Sequence, residues 1–333
     1  MKKQSGAIKI AQWSVSILLS LLIFLFLGEV YKIGIFSKLI ISLLSCVFFI
    51  HQWKKSFFRF MLLALTGIFL FISLEISFDS SEWLFFTISI VVSYLVIFLY
   101  DQDKKDMRYA LLLLLVVFIT WIILGFNVTY RDEWIIENLL NVPFIILLLI
   151  FSKYFKLSKL SYILIFVFMM LNEIGSHYTY AEVPFGFWLQ DFLGLSRNHY
   201  DRIVHFCFGF LFAYPFREVF MRIGKTKGWW ALLIPIITIL GLAGVYEVIE
   251  WGAAEVFGGD LGVAYLGTQG DVWDAQKDIA LAGIGAIIAM LITMIVLLSY
   301  KWKEYTKELG ESFKIHDPNP LGEHAIDRMK KRK

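Results

Sequence analysis

Repeated apolar segments constrain the fold of this chain more than any other feature. A helix needs about 20 mostly apolar residues to cross the hydrocarbon core of a bilayer. The chain is 59% hydrophobic and only 18% charged, whereas about a quarter of the residues of a soluble domain are charged. The sequence therefore predicts an all-α polytopic membrane protein with about ten transmembrane helices. The predicted helices lie near 11–29, 36–52, 57–77, 83–100, 108–126, 135–152, 160–177, 203–220, 229–250 and 279–299.

The charges between these segments predict the orientation of the chain. Cytoplasmic loops of membrane proteins carry an excess of lysine and arginine. Such residues follow the second, fourth, sixth and eighth predicted helices, whereas the alternate loops are acidic or mixed. The loop after the first helix departs from this pattern, because it contains Lys32 and Lys38. We expect the N- and C-termini to be cytoplasmic. The first apolar run is not followed by a small-x-small cleavage site, so we expect it to be a retained helix and not a signal peptide.

Polarity divides the chain into three regions. Residues 1–105 are nearly featureless and are predicted to form an accessory four-helix membrane region. Residues 106–300 hold almost all of the unusual polarity and are predicted to form a six-helix membrane domain with extracytoplasmic polar loops. Residues 301–333 are predicted to be a charged cytoplasmic tail with at most one short helix.

Two polar stretches, 172–206 and 246–278, interrupt the membrane pattern of the second region. An ionisable side chain at the centre of a membrane helix costs roughly 2.5–3.5 kcal/mol on insertion scales. Such residues therefore usually serve a purpose. Under the predicted topology both stretches lie on the extracytoplasmic side, so their polar residues can meet. The sequence predicts one site on this face.

Two pairs of residues are the candidate catalytic groups. Asp201 and His205 are four residues apart on one helix face, where a carboxylate can orient an imidazole as a base or a metal ligand. Glu247 and Glu250 are three residues apart and could share a proton or bind a cation. The simpler interpretations are helix capping by Asn198 or Asp201, and a buried salt bridge from a glutamate to Arg197 or Arg202 in the loop opposite.

Acidic residues before the tenth helix form a third group. Asp271, Asp274 and Asp278 fall on one helical stripe. Asp271 is predicted to cap the helix, whereas Asp278 lies deeper. Asp274, Asp278 and His205 are the candidate ligands of a divalent metal ion, and Gly285 in the same helix suits close helix packing.

Four residues of the first polar stretch are candidate substrate-binding groups. Arg197 and Arg202 could hold an anionic headgroup at the outer leaflet, or they could simply extend to the membrane surface. His177 ends the seventh predicted helix, and Tyr178 follows it as an aromatic residue typical of the membrane interface.

Composition and motifs exclude several classes of function. The net charge is only +3, and the chain has no basic stripe with interleaved aromatic residues, so a nucleic-acid partner is not expected. The sequence contains no GxGxxG, Walker, HExxH or GxSxG motif. Its two cysteines, Cys46 and Cys207, lie singly in apolar segments and do not indicate a disulfide framework.

The polar strings of the second region resemble a known family. GSHYTYAEVPFGFWLQDFLGLSRNHYDRIVHF, YEVIEW and LGTQGDVWDAQKD are similar to the YjdF family of bacterial inner-membrane proteins over residues 108–300. This resemblance implies a multi-pass protein of the bacterial plasma (inner) membrane. The first hundred residues lie outside it.

A weaker similarity connects the chain to VanZ-like membrane proteins. Those proteins carry Asp-x-x-x-His-Phe at a helix start, an acidic helix end, and Asp-x-x-x-Asn followed by glycine. Asp201, His205 and Phe206 fit the first element, but Asp278 stands where the third has asparagine. The similarity implies a cell-envelope context.

Three functions fit the sequence. The first is a membrane enzyme acting on a lipid or an envelope precursor, with a divalent metal ion as a candidate cofactor. The second is a transporter in which the same acids and histidines relay protons or cations. The third is a structural or partner-binding protein whose polar network is internally satisfied.

Overall fold

Helices make up all of the regular secondary structure in the described part of the chain. The computed structural model describes residues 108–128, 130–259, 267–315 and 321–331. The helices within these residues are α1 (Arg108–Leu124), α2 (Arg131–Tyr154), α3 (Lys159–His177), α4 (Pro184–Leu193), α5 (Tyr200–Arg222), α6 (Trp230–Phe257), α7 (Asp274–Glu311) and α8 (Leu321–Lys330).

Five of these helices are long and apolar enough to cross a membrane. The five are α2 over Arg131–Ser152, and α3, α5, α6 and α7 over their whole lengths. The shorter helix α1 is also apolar, with 17 residues. The prediction of an all-helical membrane protein is therefore confirmed. The four helices predicted between residues 11 and 100 lie outside the described residues, so the total of ten and the cytoplasmic termini stay predictions.

Helix α5 lies at the centre of the packing and contacts α3, α6 and α7. Its most extensive interface is with α7, and glycines on both helices allow the approach. A Cβ atom at Gly209 would lie 1.8 Å from the carbonyl oxygen of Ala282, and one at Gly285 would lie 2.2 Å from that of Phe206. Small residues let helix backbones approach closely in membranes. This contact fixes α7 against α5 just inside their polar ends.

The first polar stretch contains a short helix, α4, which the sequence analysis did not separate from its surroundings. Pro184 lies in its first turn, and Gly194 ends it with a left-handed φ of 63°. Phe187 and Phe192 on this helix are 46% and 71% exposed. A ten-residue helix with exposed aromatic side chains is too short to cross a bilayer and suits the membrane surface.

The C-terminal tail contains more helix than predicted. Helix α7 continues through a non-helical residue at Lys301 and ends at Glu311, and α8 follows, so the limit of one short helix is wrong. The extension of α7 contacts the chain just before α6. Glu308 Oε1 accepts a hydrogen bond from Gly228 N (2.7 Å), and Trp230 Nε1 donates to the carbonyl oxygen of Ser312 (2.9 Å). These contacts hold a segment whose composition alone gave little sign of order.

Candidate functional site

Arg197 joins the loop before α5 to the loop before α7. Its Nη1 donates to Asp274 Oδ1 (2.5 Å) and to the carbonyl oxygen of Thr268 (2.8 Å), and its Nη2 donates to that of Gly267 (3.2 Å). The side chain is only 5% exposed. Arginine suits this position because its planar guanidinium group can donate to several acceptors at once. The structure thus brings the two polar stretches together through a buried ion pair.

Arg202, in the first turn of α5, extends the same junction. Its Nη2 donates to Asp274 Oδ1 (3.1 Å) and to Asp271. Asp271 also accepts hydrogen bonds from Lys277 Nζ (2.5 Å) and from Trp273 N (3.1 Å). The bond from Lys277, with those from Trp273 and Arg202, holds the pKa of Asp271 well below its usual value. The predicted capping role of Asp271 is wrong, because α7 begins after Trp273 without a side-chain cap.

Asn198 and Gln269 form a second connection between the two stretches. Asn198 N donates to Gln269 Oε1 (3.1 Å), and Gln269 Nε2 donates back to the carbonyl oxygen of Asn198 (3.0 Å). The Asn198 side chain also donates to the carbonyl oxygen of Val183 (3.0 Å) and accepts from Tyr200 N (3.0 Å). Sequence reasoning considered Asn198 only as a helix cap and missed Gln269, since a single asparagine or glutamine in a loop gives no signal of a partner 71 residues away.

Four ionisable side chains from three helices lie beside this junction. We call them the carboxylate–histidine cluster: Asp201 and His205 of α5, Glu247 of α6 and Asp278 of α7. His205 Nε2 lies 3.6 Å from Asp201 Oδ1 and 3.5 Å from Glu247 Oε1. Asp201, His205 and Asp278 each offer a ligand atom within 4.8 Å of the others. The cluster therefore contains both members of the predicted Asp201/His205 pair, together with Glu247 and Asp278 from the other two groups.

Two carboxylate oxygens of the cluster have no hydrogen-bond partner among the described residues. They are Asp278 Oδ1 and Glu247 Oε1, and Asp278 as a whole is 2% exposed. Buried polar atoms are almost always hydrogen-bonded in folded proteins. An unmet one costs about 1–3 kcal/mol, and more for a charged group. These two oxygens are therefore placed as if for a ligand.

The spacing of the cluster suits a metal ion better than direct hydrogen bonds. The separations of 3.5 and 3.6 Å from His205 Nε2 to the two carboxylate oxygens exceed an ordinary N–H···O distance. Two atoms bound to one tetrahedral ion at about 2.0–2.1 Å lie roughly 3.3–3.4 Å apart, which is close to the 3.6 Å between His205 Nε2 and Asp201 Oδ1. Imidazole and carboxylate together favour a divalent cation of the zinc or manganese kind.

Further acids surround the cluster. Glu250 lies one helical turn beyond Glu247, and its electrostatic neighbours include Asp201 and Glu137. Glu137 is on α2 and only 7% exposed. Sequence reasoning missed it, although Glu133 four residues earlier places two acids on one face of α2. That spacing was the available signal.

The structure divides the other predicted site residues between the junction and the rest of the bundle. Asp274, a predicted metal ligand, is an ion-pair partner of Arg197 and Arg202. The two arginines contact Asp271 and Asp274, so the alternative in which they pair with Glu247 or Glu250 is not what the structure shows.

His177 and Tyr178, predicted to bind substrate, lie at the end of α3. His177 Nδ1 is 2.7 Å from the carbonyl oxygen of Leu124 at the end of α1, and its ring meets that of Tyr178 edge to face at 4.7 Å. Burial raises the pKa of Tyr178 to about 12, so its hydroxyl stays neutral at physiological pH. These contacts give His177 a place in the packing of α1 on α3.

Fold and site together define a polytopic membrane protein that carries a buried carboxylate–histidine cluster at one end of its helix bundle. A family model described as "Predicted membrane protein (DUF2238)" matches residues 109–299. This match covers more than half of the chain, so the chain belongs to that family. It is 36% identical over 176 residues to the inner membrane protein YjdF of Escherichia coli (strain K12). The aligned segment covers 52% of this chain and 84% of that protein.

These comparisons confirm the resemblance to the YjdF family and a multi-pass protein of the bacterial inner membrane. No solved structure matches the chain. The family match contains all four residues of the carboxylate–histidine cluster and both arginines of the junction.

Proposed function

We propose that this protein is a membrane enzyme that uses a divalent cation to act on the headgroup of a lipid or of a lipid-linked envelope precursor. The observation that carries this proposal is the pair of buried, unpartnered oxygens, Asp278 Oδ1 and Glu247 Oε1, beside the imidazole of His205. Three carboxylates this close repel one another when ionised. A bound divalent cation would relieve that repulsion and give Asp278 Oδ1 a partner, and a water on the cation would give one to Glu247 Oε1.

The reaction that this donor set supports is hydrolysis of a headgroup ester. Asp201, His205 and Asp278 would hold the cation, which lowers the pKa of a bound water towards 7. Glu247 would take a proton from that water. The oxygen of the water would form the new bond at the headgroup centre as the bond to the leaving oxygen breaks. Glu247 would then return its proton to the leaving oxygen.

The depth of the cluster supports an enzyme at the membrane surface. His205 is five residues into α5 and Asp278 is four residues into α7. At 1.5 Å per residue these positions are about 6–8 Å from the helix ends. A hydrocarbon core of about 30 Å has its midplane about 15 Å from either surface. His205 and Asp278 therefore suit a headgroup better than a relay through the bilayer.

Metal analysis of detergent-purified protein tests the proposal. After equilibration with Zn²⁺, Mn²⁺ or Mg²⁺ and dialysis, we expect one of these ions to remain bound to the wild type and to Asp191→Asn. Asp191 is the matched control, because it is an exposed aspartate on α4. Asp278→Asn and His205→Ala should lose the ion while eluting as monodisperse protein. A wild type that holds none of the three ions, or an Asp278→Asn variant with equal content, contradicts the proposal.

A liposome flux assay separates the enzyme from the transporter. Sealed liposomes that contain the wild-type protein should show no proton-coupled uptake of divalent cations. Uptake by the wild type that disappears in Asp278→Asn would contradict the proposed enzyme and indicate a cation transporter.

A further inference from the structure

A groove of about 330 Å³ opens beside the carboxylate–histidine cluster. Asp201 and His205 line it at the polar end of α5. The lining then continues along one face of α5 at helical spacing through Val204, Phe208, Phe212 and Phe216. Helices α2, α3 and α6 supply the other walls. Groove and cluster therefore form one continuous surface.

The groove is long enough to follow a lipid chain into the bilayer. From Asp201 to Phe216 the helix advances 15 residues, or about 22 Å at 1.5 Å per residue. The hydrocarbon core is about 30 Å thick, so the groove passes the midplane. Its volume is about twice that of an engineered cavity of roughly 150 Å³ that binds benzene.

The deep part of the groove is lined by aromatic rings. Phe212 packs edge to face on Phe168 at 5.0 Å between ring centroids and tilted on Phe208 at 5.3 Å. Phe144 of α2 contacts Phe212 at 5.7 Å. Polar lining residues lie near the cluster, where Tyr180 donates its hydroxyl to Asn172 Oδ1 (2.8 Å). The groove thus changes from polar to apolar along its length, as an amphiphile does.

We propose that this groove binds one acyl chain of a membrane lipid, with the lipid headgroup at the carboxylate–histidine cluster. The assignment of that lipid as substrate rests on the proposed function, whereas chain binding does not. The groove lies within spanning helices, where the surrounding medium is hydrocarbon. An apolar concave surface at that depth is filled by the chains around it. The direct continuity with Asp201 and His205 then orients the bound lipid with its headgroup towards the cluster.

Photocrosslinking in lipid vesicles tests the groove. The protein is reconstituted in phosphatidylglycerol vesicles that carry a diazirine in one acyl chain, and labelled residues are mapped by mass spectrometry. In the wild type we expect labels on groove residues, including Phe208 and Leu242. Ala243→Trp should abolish these labels, because Ala243 lines the groove and is 1% exposed. Leu242→Trp should do the same and disturbs the packing less, since Leu242 is 41% exposed.

The control is Val248→Trp, which adds the same side chain to the same helix at a position that is 62% exposed and outside the groove. It should keep the wild-type labels. Labels that are equal in Leu242→Trp and the wild type overturn the inference, as do crosslinks that show residues 1–105 of the same chain filling the groove.

The metal measurement distinguishes this inference from the proposed function. Groove labelling that persists in His205→Ala, with the metal lost, supports both. Groove labels on a wild-type protein that holds no metal support the chain site and contradict the enzyme. A bound metal without groove labels overturns the chain site alone.

Discussion

Replacement of Gly285 with alanine tests the close approach of α7 to α5 beside the carboxylate–histidine cluster. The added Cβ would lie 2.2 Å from the carbonyl oxygen of Phe206 and 2.8 Å from the backbone nitrogen of Phe210. Carbon–oxygen contacts of this kind normally measure about 3.3–3.6 Å. Both obstructing atoms are backbone, so no side chain can rotate away. Helix α7 must therefore move from α5 by roughly 1 Å.

The cost of this movement follows from packing data. Forcing an extra methyl group into a packed interior costs about 1–3 kcal/mol. Alanine also gains up to about 1 kcal/mol over glycine in helix propensity, which hides part of the loss. Gly241→Ala is the matched control, because Gly241 lies within a spanning helix and a Cβ there meets nothing within 4 Å. The difference between the two variants isolates the steric effect.

Thermal unfolding in detergent measures that difference. A unit of 150–250 residues shifts by roughly 2–4 °C per kcal/mol, so Gly285→Ala should melt about 2–12 °C below Gly241→Ala. Its divalent-cation affinity should also fall, because Asp278 on α7 is drawn away from His205 on α5. Equal melting temperatures for the two variants would refute the close approach of the helices.

The junction gives two more predictions. Arg197→Ala should destabilise the protein by about 1–3 kcal/mol, because Asp274 keeps Arg202 but the carbonyl oxygens of Gly267 and Thr268 lose their donor. An unchanged melting temperature would argue against this role, and Arg197→Lys should restore little because one ammonium group cannot replace the several donors of a guanidinium group. The second prediction concerns pH. The pKa of Asp271 is lowered in the folded protein, chiefly by Lys277. Its contribution to the stability of the folded protein is therefore complete above its unfolded pKa of about 3.9 and is lost as the pH falls towards the lower folded value. Melting curves below pH 4 should therefore show the wild type losing stability faster than Asp271→Asn, and parallel losses would exclude this role.

Sequence reasoning located the described spanning helices because each depends on a local property, a run of about 20 apolar residues. The run at 203–220 lies within α5, and the run at 279–299 lies within α7. The predictions from sequence fail where a helix does not depend on an apolar run. Helix α4 begins at a proline inside a polar stretch, and the extension of α7 is held by contacts with residues just before α6.

The site was predictable up to the choice of partners. Helical spacing placed Asp201 and His205 on one face, and the structure has them 3.6 Å apart. Spacing could not separate Asp274 from Asp278, which are one turn apart on the same stripe. That choice depends on two arginines contributed by the other polar stretch, which reach Asp274 and leave Asp278 to the cluster.

The different charges of the junction and of the carboxylate–histidine cluster explain why a cation of at least two charges suits the cluster. In the junction, Arg197, Arg202 and Lys277 face Asp271 and Asp274, so positive charge is in excess. In the cluster, three carboxylates face one imidazole, which is a much weaker base than the guanidinium and ammonium groups of the junction. The close packing of α5 on α7 at their glycines keeps Asp201 and Asp278 near each other in the bundle. Protonation could relieve part of their repulsion, but one shared proton donates to a single acceptor, whereas two buried oxygens, Asp278 Oδ1 and Glu247 Oε1, have no partner. A bound divalent cation would offset the negative charge and, with its bound water, would give both oxygens a partner. The geometry therefore favours a cation over a single shared proton.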